Sequence, residues 1–474
     1  TSGLHRVTFM FQFPVVMAIL MTTFVPFFYN TKVVSVYEYL EKRFGSKSRT
    51  LLAVIFLLSR GLQTAVVLFA PALALSTITG LPTKTAVLLM GIIAIIYTVT
   101  GGISAVIWTD VVQMFIIYFG IVLAIVIPIF TVDGGLGTIL SNAAGANLLT
   151  GLDYSFNMKD SYTFWGGLFG SGFLYLAYLG TDQSQIQRVL TAKNIRESKL
   201  SLAFSGFIAP LQTLLFLFSG ICLYSAYNGQ QFENSDMVML TFVSKYLPVG
   251  IAGLVTAGVF AAGMSSLDSA LNSLATVSVN DIYKKINPKA DDAKCLKVSR
   301  LMTLVWGIFA TVVALFLGGL GGVLDIINTI GPLFYPCLLS AFVLAVFCKK
   351  ANQKGCIAAV IAGLGIDLYM FKFTSIGSLW WNFLGFLFAV AVGYIVSLIT
   401  DEKKQVREAL DQNFRFDTAV GSELTIGYVT KLAAAGKIAE KDEDGYYVIP
   451  GKVDKISYVL IAYFIVIVIV LSLI

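Results

Sequence analysis

Residues 261–273 read AAGMSSLDSALNS and lie in a segment otherwise made of apolar residues and glycine. Four polar side chains follow the spacing i, i+3, i+4, i+7, which places them on one face of a helix. They are Ser265, Asp268, Ser269 and Asn272. A carboxylate facing lipid costs several kcal/mol, so Asp268 must face protein, water or a cation. Serine hydroxyls and carboxylates are ligands that a small hard cation such as Na⁺ prefers.

Each of these polar features has an alternative explanation. The serines alone fit a helix–helix interface of small residues, in which each hydroxyl bonds to the preceding turn. A second aspartate, Asp110, lies in GGISAVIWTDVVQMF, residues 101–115. Its carboxylate could cap the start of a helix, where it would meet the helix dipole and free N–H groups. The presence of Asp268 in the polar stripe favours an ion site over simple packing.

The composition is typical of an integral membrane protein. Hydrophobic residues make up 57% of the 474 residues, charged residues make up 13%, and the mean hydropathy is +0.82. Continuous apolar runs predict an all-α protein, because in the strands of a membrane barrel apolar and polar residues would alternate at every second position. Twelve membrane-spanning helices are predicted, at 9–29, 50–77, 85–103, 105–131, 163–185, 200–226, 248–279, 298–319, 322–347, 355–371, 376–399 and 456–474.

The basic residues predict the orientation of these helices. Alternate connections between the helices contain 27 of the 33 Lys and Arg residues, and short basic loops stay on the cytoplasmic side. The first run then enters the membrane from outside. The net charge of +6 reflects this topology and does not indicate nucleic-acid binding. The prediction is a multi-pass protein of the plasma (inner) membrane that contacts lipid and functions as a monomer.

Enzyme chemistry is not expected. The five cysteines form no CxxC pair, and His5 is the only histidine, so neither a metal cluster nor a nucleophile–base pair is indicated.

Four motifs together resemble the sodium:solute symporter family. They are SVYEYLEKRF (35–44), GGISAVIWTDVVQ (101–113), GTDQSQIQRVLTAKN (180–194) and SSLDSALNSLATVSVNDIY (265–283). The resemblance implies a leucine-transporter-like fold with two inverted five-helix repeats and a central site at broken helices. It places the broken first helix of the second repeat at 164–183, where several glycines would permit unwound backbone. It also implies that the first core helix is missing from this chain.

The resemblance also implies a set of sodium ligands. The shared sodium site of the family takes a carbonyl and hydroxyls that match Ala262, Ser265 and Ser266. A further site in some relatives matches Asp110, Ser265, Asp268 and Ser269. Asp268 departs from the pattern, because relatives with this second site carry a hydroxyl residue there. One or two Na⁺ ions are therefore expected as coupling ions.

The solute is less well defined by the motifs. The resemblance places Arg6 and Met10 near the pocket, and it places Gln63 where the sialic acid relative has an arginine. Arg60 lies one turn before Gln63, and its alternative role is to snorkel to a membrane interface. The arginines suit a small organic anion, whereas Asp182 and Gln183 suit the hydroxyls of a sugar or polyol.

We therefore expect sodium-coupled symport of a small carboxylate or acidic sugar by alternating access. A neutral sugar or polyol symporter is the alternative, and a sodium-selective channel or a transporter-derived sensor is the alternative of a different class. The expected organisation is a transporter core (1–348), two additional helices (349–400), a cytoplasmic linker (401–455) and a final helix (456–474). The composition of the linker predicts a solvated connection with a short helix and a hairpin at DEDGYYVIPG, 442–451.

Overall fold

The computed structural model describes residues 3–33, 35–100, 103–230, 232, 237–318, 323–400, 415 and 418–473. Some side chains inside these helices lie outside the description, namely those of residues 97, 100, 103–110, 113, 190, 261, 262, 265 and 323–328.

The described chain is helical, and the only β pairing within it is a bridge between Lys441 and Tyr447. The helices in chain order are α1 (Phe13–Thr22), α2 (Phe24–Thr31), α3 (Val36–Phe44), α4 (Ser46–Thr79), α5 (Thr83–Thr100), α6 (Ile103–Thr131), α7 (Gly135–Gly145), α8 (Gly172–Thr181), α9 (Gln183–Leu190), α10 (Ile195–Ala226), α11 (Met237–Tyr246), α12 (Val249–Val277), α13 (Lys284–Ile286), α14 (Asp292–Ala314), α15 (Val323–Phe347), α16 (Gln353–Phe373), α17 (Ser378–Ile399), α18 (Ile426–Ala434) and α19 (Lys455–Ser472).

Each of the twelve apolar runs coincides with helical structure, so the all-α prediction is confirmed. Within the described ranges, nine helices are long and apolar enough to cross a membrane. The other three runs are those of α5, α8 and α12. Helix α8 is ten residues long, and the apolar stretches of α5 and α12 include side chains outside the description.

The interruption between α8 and α9 differs in position from the prediction. The glycine-rich stretch is a π-helix, Gly166–Ser171, that runs directly into α8. The break itself falls at Asp182, whose backbone is extended and whose side chain accepts a hydrogen bond from the amide of Ser184 at 2.8 Å. Glycine at 170 permits close packing, because a Cβ there would lie 2.7 Å from the carbonyl oxygen of Leu379 on α17.

The segment 418–454 packs against the helices, which a solvated connection would not do. It contains a 3₁₀ turn at Gly421–Leu424, helix α18 and a hairpin, so both predicted local elements are present. The amide of Gly451 donates to the carbonyl of Thr22 at 2.8 Å, and the hydroxyl of Tyr39 donates to the carbonyl of Leu424 at 2.8 Å. Residues 401–414 of the predicted linker lie outside the described residues, and the division of the chain into four parts stays a prediction.

A buried ion pair fixes this segment to α10. The ammonium group of Lys199 donates to Asp454 Oδ2 at 2.6 Å and to the carbonyl of Tyr447 at 2.6 Å. The Lys199 side chain is fully buried, and Asp454 is 5% exposed. Two buried charges remain stable together only when their hydrogen bonds are satisfied, and here each partner has further hydrogen bonds within the hairpin.

Candidate functional site

A cavity of about 400 Å³ lies between α4, the broken pair α8–α9, α12 and α15. This volume is within the range of small-molecule sites, which is about 300–1,000 Å³. The residues that line it are Phe9, Arg60, Gln63, Val67, Leu174, Tyr175, Tyr178, Gln185, Arg188, Ser266, Ser269, Gly331 and Tyr335. The wall thus combines aromatic rings with a few polar groups, which is typical of a site that recognises one small polar solute.

Arg60 supplies the buried positive charge of this cavity. Its side chain comes from the middle of α4 and is 8% exposed. The guanidinium lies 3.9 Å from Asp182 Oδ2 and 5.9 Å from the centre of the Tyr178 ring. Its Nε is buried without a hydrogen-bond partner. A guanidinium with an unused donor in a cavity wall is suited to bind a carboxylate.

Neutral polar groups form short hydrogen-bonded chains around Arg60. The Tyr335 hydroxyl donates to Gln63 Oε1 at 2.9 Å, and Gln63 Nε2 donates to Ser59 Oγ at 3.1 Å. On the broken pair, Gln185 Nε2 donates to the Tyr178 hydroxyl at 2.7 Å. These contacts fix the amide and hydroxyl groups in place. The fixed groups can then select a solute by the positions of its polar atoms.

The other predicted solute residues lie outside the described lining of this cavity. Asp182 accepts from the amide and hydroxyl of Ser184 and faces Arg60. Gln183 accepts from the backbone N–H of Val36 at 2.9 Å, so it joins the broken pair to the start of α3. Arg6 lies over the Tyr162 ring at 4.5 Å, and Met10 packs against the main apolar core.

The polar side chains of α12 are divided between two surroundings. Ser266 and Ser269 line the cavity, and Ser269 Oγ accepts a hydrogen bond from Arg188 at 2.6 Å. Asp268 is 1% exposed and accepts a hydrogen bond from the hydroxyl of Thr98 on α5. The structure therefore brings the two serines together in the cavity and directs the Asp268 carboxylate towards α5.

Three predicted sodium ligands cannot be placed in the same way. The side chains of Ala262, Ser265 and Asp110 lie outside the described residues, although the backbone of each is helical. Among described residues, no group of three or more His, Cys, Asp and Glu side chains could hold a metal ion. The predicted ligand set, which combines serine hydroxyls with the carboxylates of Asp110 and Asp268, stays a prediction.

A network of charged residues joins α3 and α4 to the segment at the end of α12. Arg49 at the start of α4 donates to Asp281 at 2.5 Å and to Glu41 at 2.5 Å. Ser35 also donates to Asp281, at 2.7 Å, and Lys285 pairs with Glu41 at 3.0 Å. Partial burial acts to raise the pKa of Glu41, but hydrogen bonds from Arg49 and Lys285 outweigh it and hold that pKa below its ordinary value. The network ties α3 and α4 to the π-helix Ser278–Tyr283.

Several lining residues were not singled out in the sequence. The sequence did not indicate Tyr178 and Tyr335, because they are two of 21 tyrosines in the chain and lie in no distinctive motif. The sequence could have indicated Arg188, because this residue lies on the broken pair one helical turn beyond Gln185.

Comparisons with known proteins agree on one family. Residues 1–363 match a profile described as "Sodium:solute symporter family". The sodium/sialic acid symporter NanT of Aliivibrio fischeri is 31% identical over 383 residues, covering 79% of this chain and 75% of the relative. Sodium-coupled monocarboxylate transporter 2 of Bos taurus is 30% identical over 376 residues, covering 78% of this chain and 61% of the relative. The chain thus spans about three fifths of the bovine relative.

A solved structure of similar shape is a Na⁺-coupled sialic acid symporter in a substrate-bound, outward-open state. It superposes with a TM-score of 0.78 at 27% identity, covering 86% of both chains. The predicted leucine-transporter-like helical fold is therefore confirmed.

Proposed function

Because the chain belongs to the sodium:solute symporter family, a family of multi-pass membrane carriers that use Na⁺ as coupling ion, we propose that it imports a small organic anion by alternating access. The proposed solute is a monocarboxylate or an acidic sugar, bound in the cavity between α4, α8–α9, α12 and α15. No enzymatic reaction is involved.

The observation that carries this proposal is the environment of Arg60. A buried guanidinium in a membrane protein is costly unless it binds something, and its resident partner Asp182 lies at the long distance of 3.9 Å. An incoming carboxylate could form a closer, two-bond contact with the same guanidinium. The relatives named for sialic acid and monocarboxylates transport acids, which supports an anionic solute.

A neutral sugar or polyol is the second candidate, and the amide and hydroxyl chain of Gln63, Tyr335 and Gln185 could bind its hydroxyl groups. This candidate is less well supported, because a neutral solute would offer no negative charge to the Arg60 guanidinium. A channel or a sensor would not need a solute-sized cavity with a buried charge in its wall.

The test is uptake into proteoliposomes that contain the purified full chain. Sodium-stimulated, saturable uptake of a labelled carboxylate should be inhibited by short monocarboxylates or by sugar acids. The matching amides and neutral sugars of equal size serve as controls and should not inhibit. Inhibition by the neutral compounds alone would contradict the anion proposal, and uptake that never saturates would contradict a carrier.

The coupling follows from ordinary linkage. A cation that binds only when α12 and its neighbours adopt one arrangement biases the outward–inward equilibrium towards that arrangement. A solute that prefers the same arrangement is then bound more tightly in the presence of Na⁺. An inside-negative potential adds about 2.3 kcal/mol per charge per 100 mV to the inward movement of Na⁺.

Ser266→Ala should raise the sodium concentration for half-maximal uptake severalfold. Losing one oxygen ligand typically costs about 1–3 kcal/mol. Ser273→Ala is the matched control, because Ser273 lies on the same helix but donates to the carbonyl of Ala270. Ser265→Ala should behave like Ser266→Ala. Equal sodium dependence in all three variants would contradict the assignment of the stripe to sodium binding.

A second sodium site would use the lower part of the stripe with Asp110 and Asp268. If both carboxylates bind the ion, Asp110→Asn and Asp268→Asn should each lower the sodium Hill coefficient towards one, and the unmutated carrier should move about two Na⁺ per solute. A reversal-potential measurement checks this ratio. A ratio of one would mean that Asp268 serves packing through its hydrogen bond with Thr98.

A further inference from the structure

Asp367 is a buried carboxyl group that the transport site does not use. It lies within the apolar span of α16 and is 0% exposed. Neither of its two carboxyl oxygens has a hydrogen-bond partner. An ionised carboxylate in such a position would cost several kcal/mol, so this side chain requires a ligand or a proton.

The surroundings of Asp367 are closely packed. A Cβ on Gly385 of α17 would overlap the carboxyl group, so the glycine makes the space that the carboxyl fills. One turn before Asp367, a Cβ on Gly363 would lie 3.0 Å from Cys337 Cβ on α15 and 3.2 Å from Ala389 Cβ on α17. Small residues thus let α15, α16 and α17 approach closely, and the tight fit favours a proton over a hydrated or multiply coordinated cation.

A second unpartnered acceptor lies on the same face of α17. Asn382 is one turn before Gly385 and is 1% exposed. Its Nδ2 donates to the carbonyl of Leu379 at 3.0 Å, and its Oδ1 is buried without a partner. The interface therefore contains three acceptor oxygens that lack a donor. One added proton would supply that donor.

We propose that Asp367 binds a proton and that the resulting carboxylic acid donates a hydrogen bond to Asn382, joining α16 to α17. The proton comes from water, and no other group is transferred. The titratable group that faces the carboxyl is the Cys337 thiol on α15. Among described residues, no basic side chain donates to the carboxyl of Asp367, so no hydrogen-bonded ion pair would favour its ionised form.

This proton site would act on the transport machinery through α17. The same helix packs on the π-helix Gly166–Ser171, where Gly170 meets the Leu379 carbonyl and the Phe169 and Phe383 rings stack at 4.9 Å. A protonated Asp367 would thus hold in place the helix that supports the first segment of the broken pair. The inference does not depend on which solute is carried.

Infrared spectroscopy of the full chain in lipid nanodiscs tests the proton directly. The unmutated protein should show the C=O band of a carboxylic acid at neutral pH, and Asp367→Asn should remove it. Asp133→Asn, at an exposed loop position, is the matched control and should leave the band unchanged. Asn382→Leu should retain the band at a shifted position, because the acid loses its acceptor. A band that survives Asp367→Asn would overturn the proposal.

Thermal unfolding gives an independent readout. A group that is protonated in the folded state and ionised in the unfolded state makes stability fall as pH rises. The Tm of the unmutated protein should therefore fall from about pH 6 to about pH 9, the range in which buried acids ionise. The Tm of the Asp367→Asn variant should fall less over the same pH range. Should that variant not fold, the infrared titration of the unmutated protein decides alone, since absence of any acid band at neutral pH refutes the proposal.

Discussion

Arg60→Gln should reduce uptake of the anionic solute at least about 30-fold. Removing one member of a buried, hydrogen-bonded charge pair costs about 2–5 kcal/mol, and each 1.4 kcal/mol is about a factor of ten. Gln cannot replace the guanidinium, because it offers no charge and only two donors on one nitrogen. The measurement is the initial rate of sodium-driven uptake in proteoliposomes over a range of solute concentrations.

Two controls separate solute binding from structure. Arg6→Gln should retain uptake, because Arg6 lies over Tyr162 and away from the cavity lining. Sodium-dependent thermal stabilisation should persist in Arg60→Gln if its sodium ligands are separate. The double variant R60Q/D182N removes both members of the ion pair. If it transported the anion at the unmutated rate, Arg60 would serve only to neutralise Asp182, and the solute assignment would be wrong.

Lys199→Met should lower the free energy of unfolding by about 3–5 kcal/mol. The change leaves the Asp454 carboxylate buried, without its charged partner, and also removes the donor to the Tyr447 carbonyl. Met matches the length of the lysine stem, so packing is largely retained. Unfolding of the purified protein in detergent, followed by tryptophan fluorescence or by heat, measures the loss.

Lys193→Met is the matched control, because Lys193 is exposed near the same end of α10. It should change stability by less than about 0.5 kcal/mol. The double variant K199M/D454N should recover part of the loss, since no unpaired charge then remains buried. Equal stability of Lys199→Met and the unmutated protein would show that segment 418–454 does not depend on this ion pair.

The helices could be predicted because a membrane imposes a simple requirement on sequence. About 20 apolar residues are needed to cross the hydrocarbon layer, and this length is visible as uninterrupted runs. The position of the break was not visible in the same way. Glycines suggested unwinding near 166–172, whereas the structure widens that stretch into a π-helix and interrupts the chain at Asp182. The extended backbone there is stabilised by a local cap with Ser184, a contact that depends on two polar residues two positions apart.

The site was predicted in part. Arg60 could be found because a charged group inside a membrane is costly and therefore meaningful, whereas Gln63 was indicated by the family resemblance. Helical spacing placed Asp268 and Ser269 on one face, and the resemblance added Ser266. Neither could show that Asp268 turns towards Thr98, since that depends on which helix packs alongside. The packing of 418–454 was also missed. Its charged composition suggested solvent, while a few apolar positions, such as Leu424, Val429 and Ile449, are fully buried.

Helix α19 is connected to its neighbours along its whole length. Lys199 holds it at its N-terminal end, and the Tyr463 hydroxyl donates to the carbonyl of Phe207 on α10 at 3.1 Å. At its C-terminal end, the hydroxyl of Ser472 is hydrogen-bonded to Tyr154. We therefore expect a tilt of α10 to carry α19 and the hairpin with it. A fluorescent label at the exposed Glu443 of that hairpin would then report the motion of α10 during turnover from a position far from the solute.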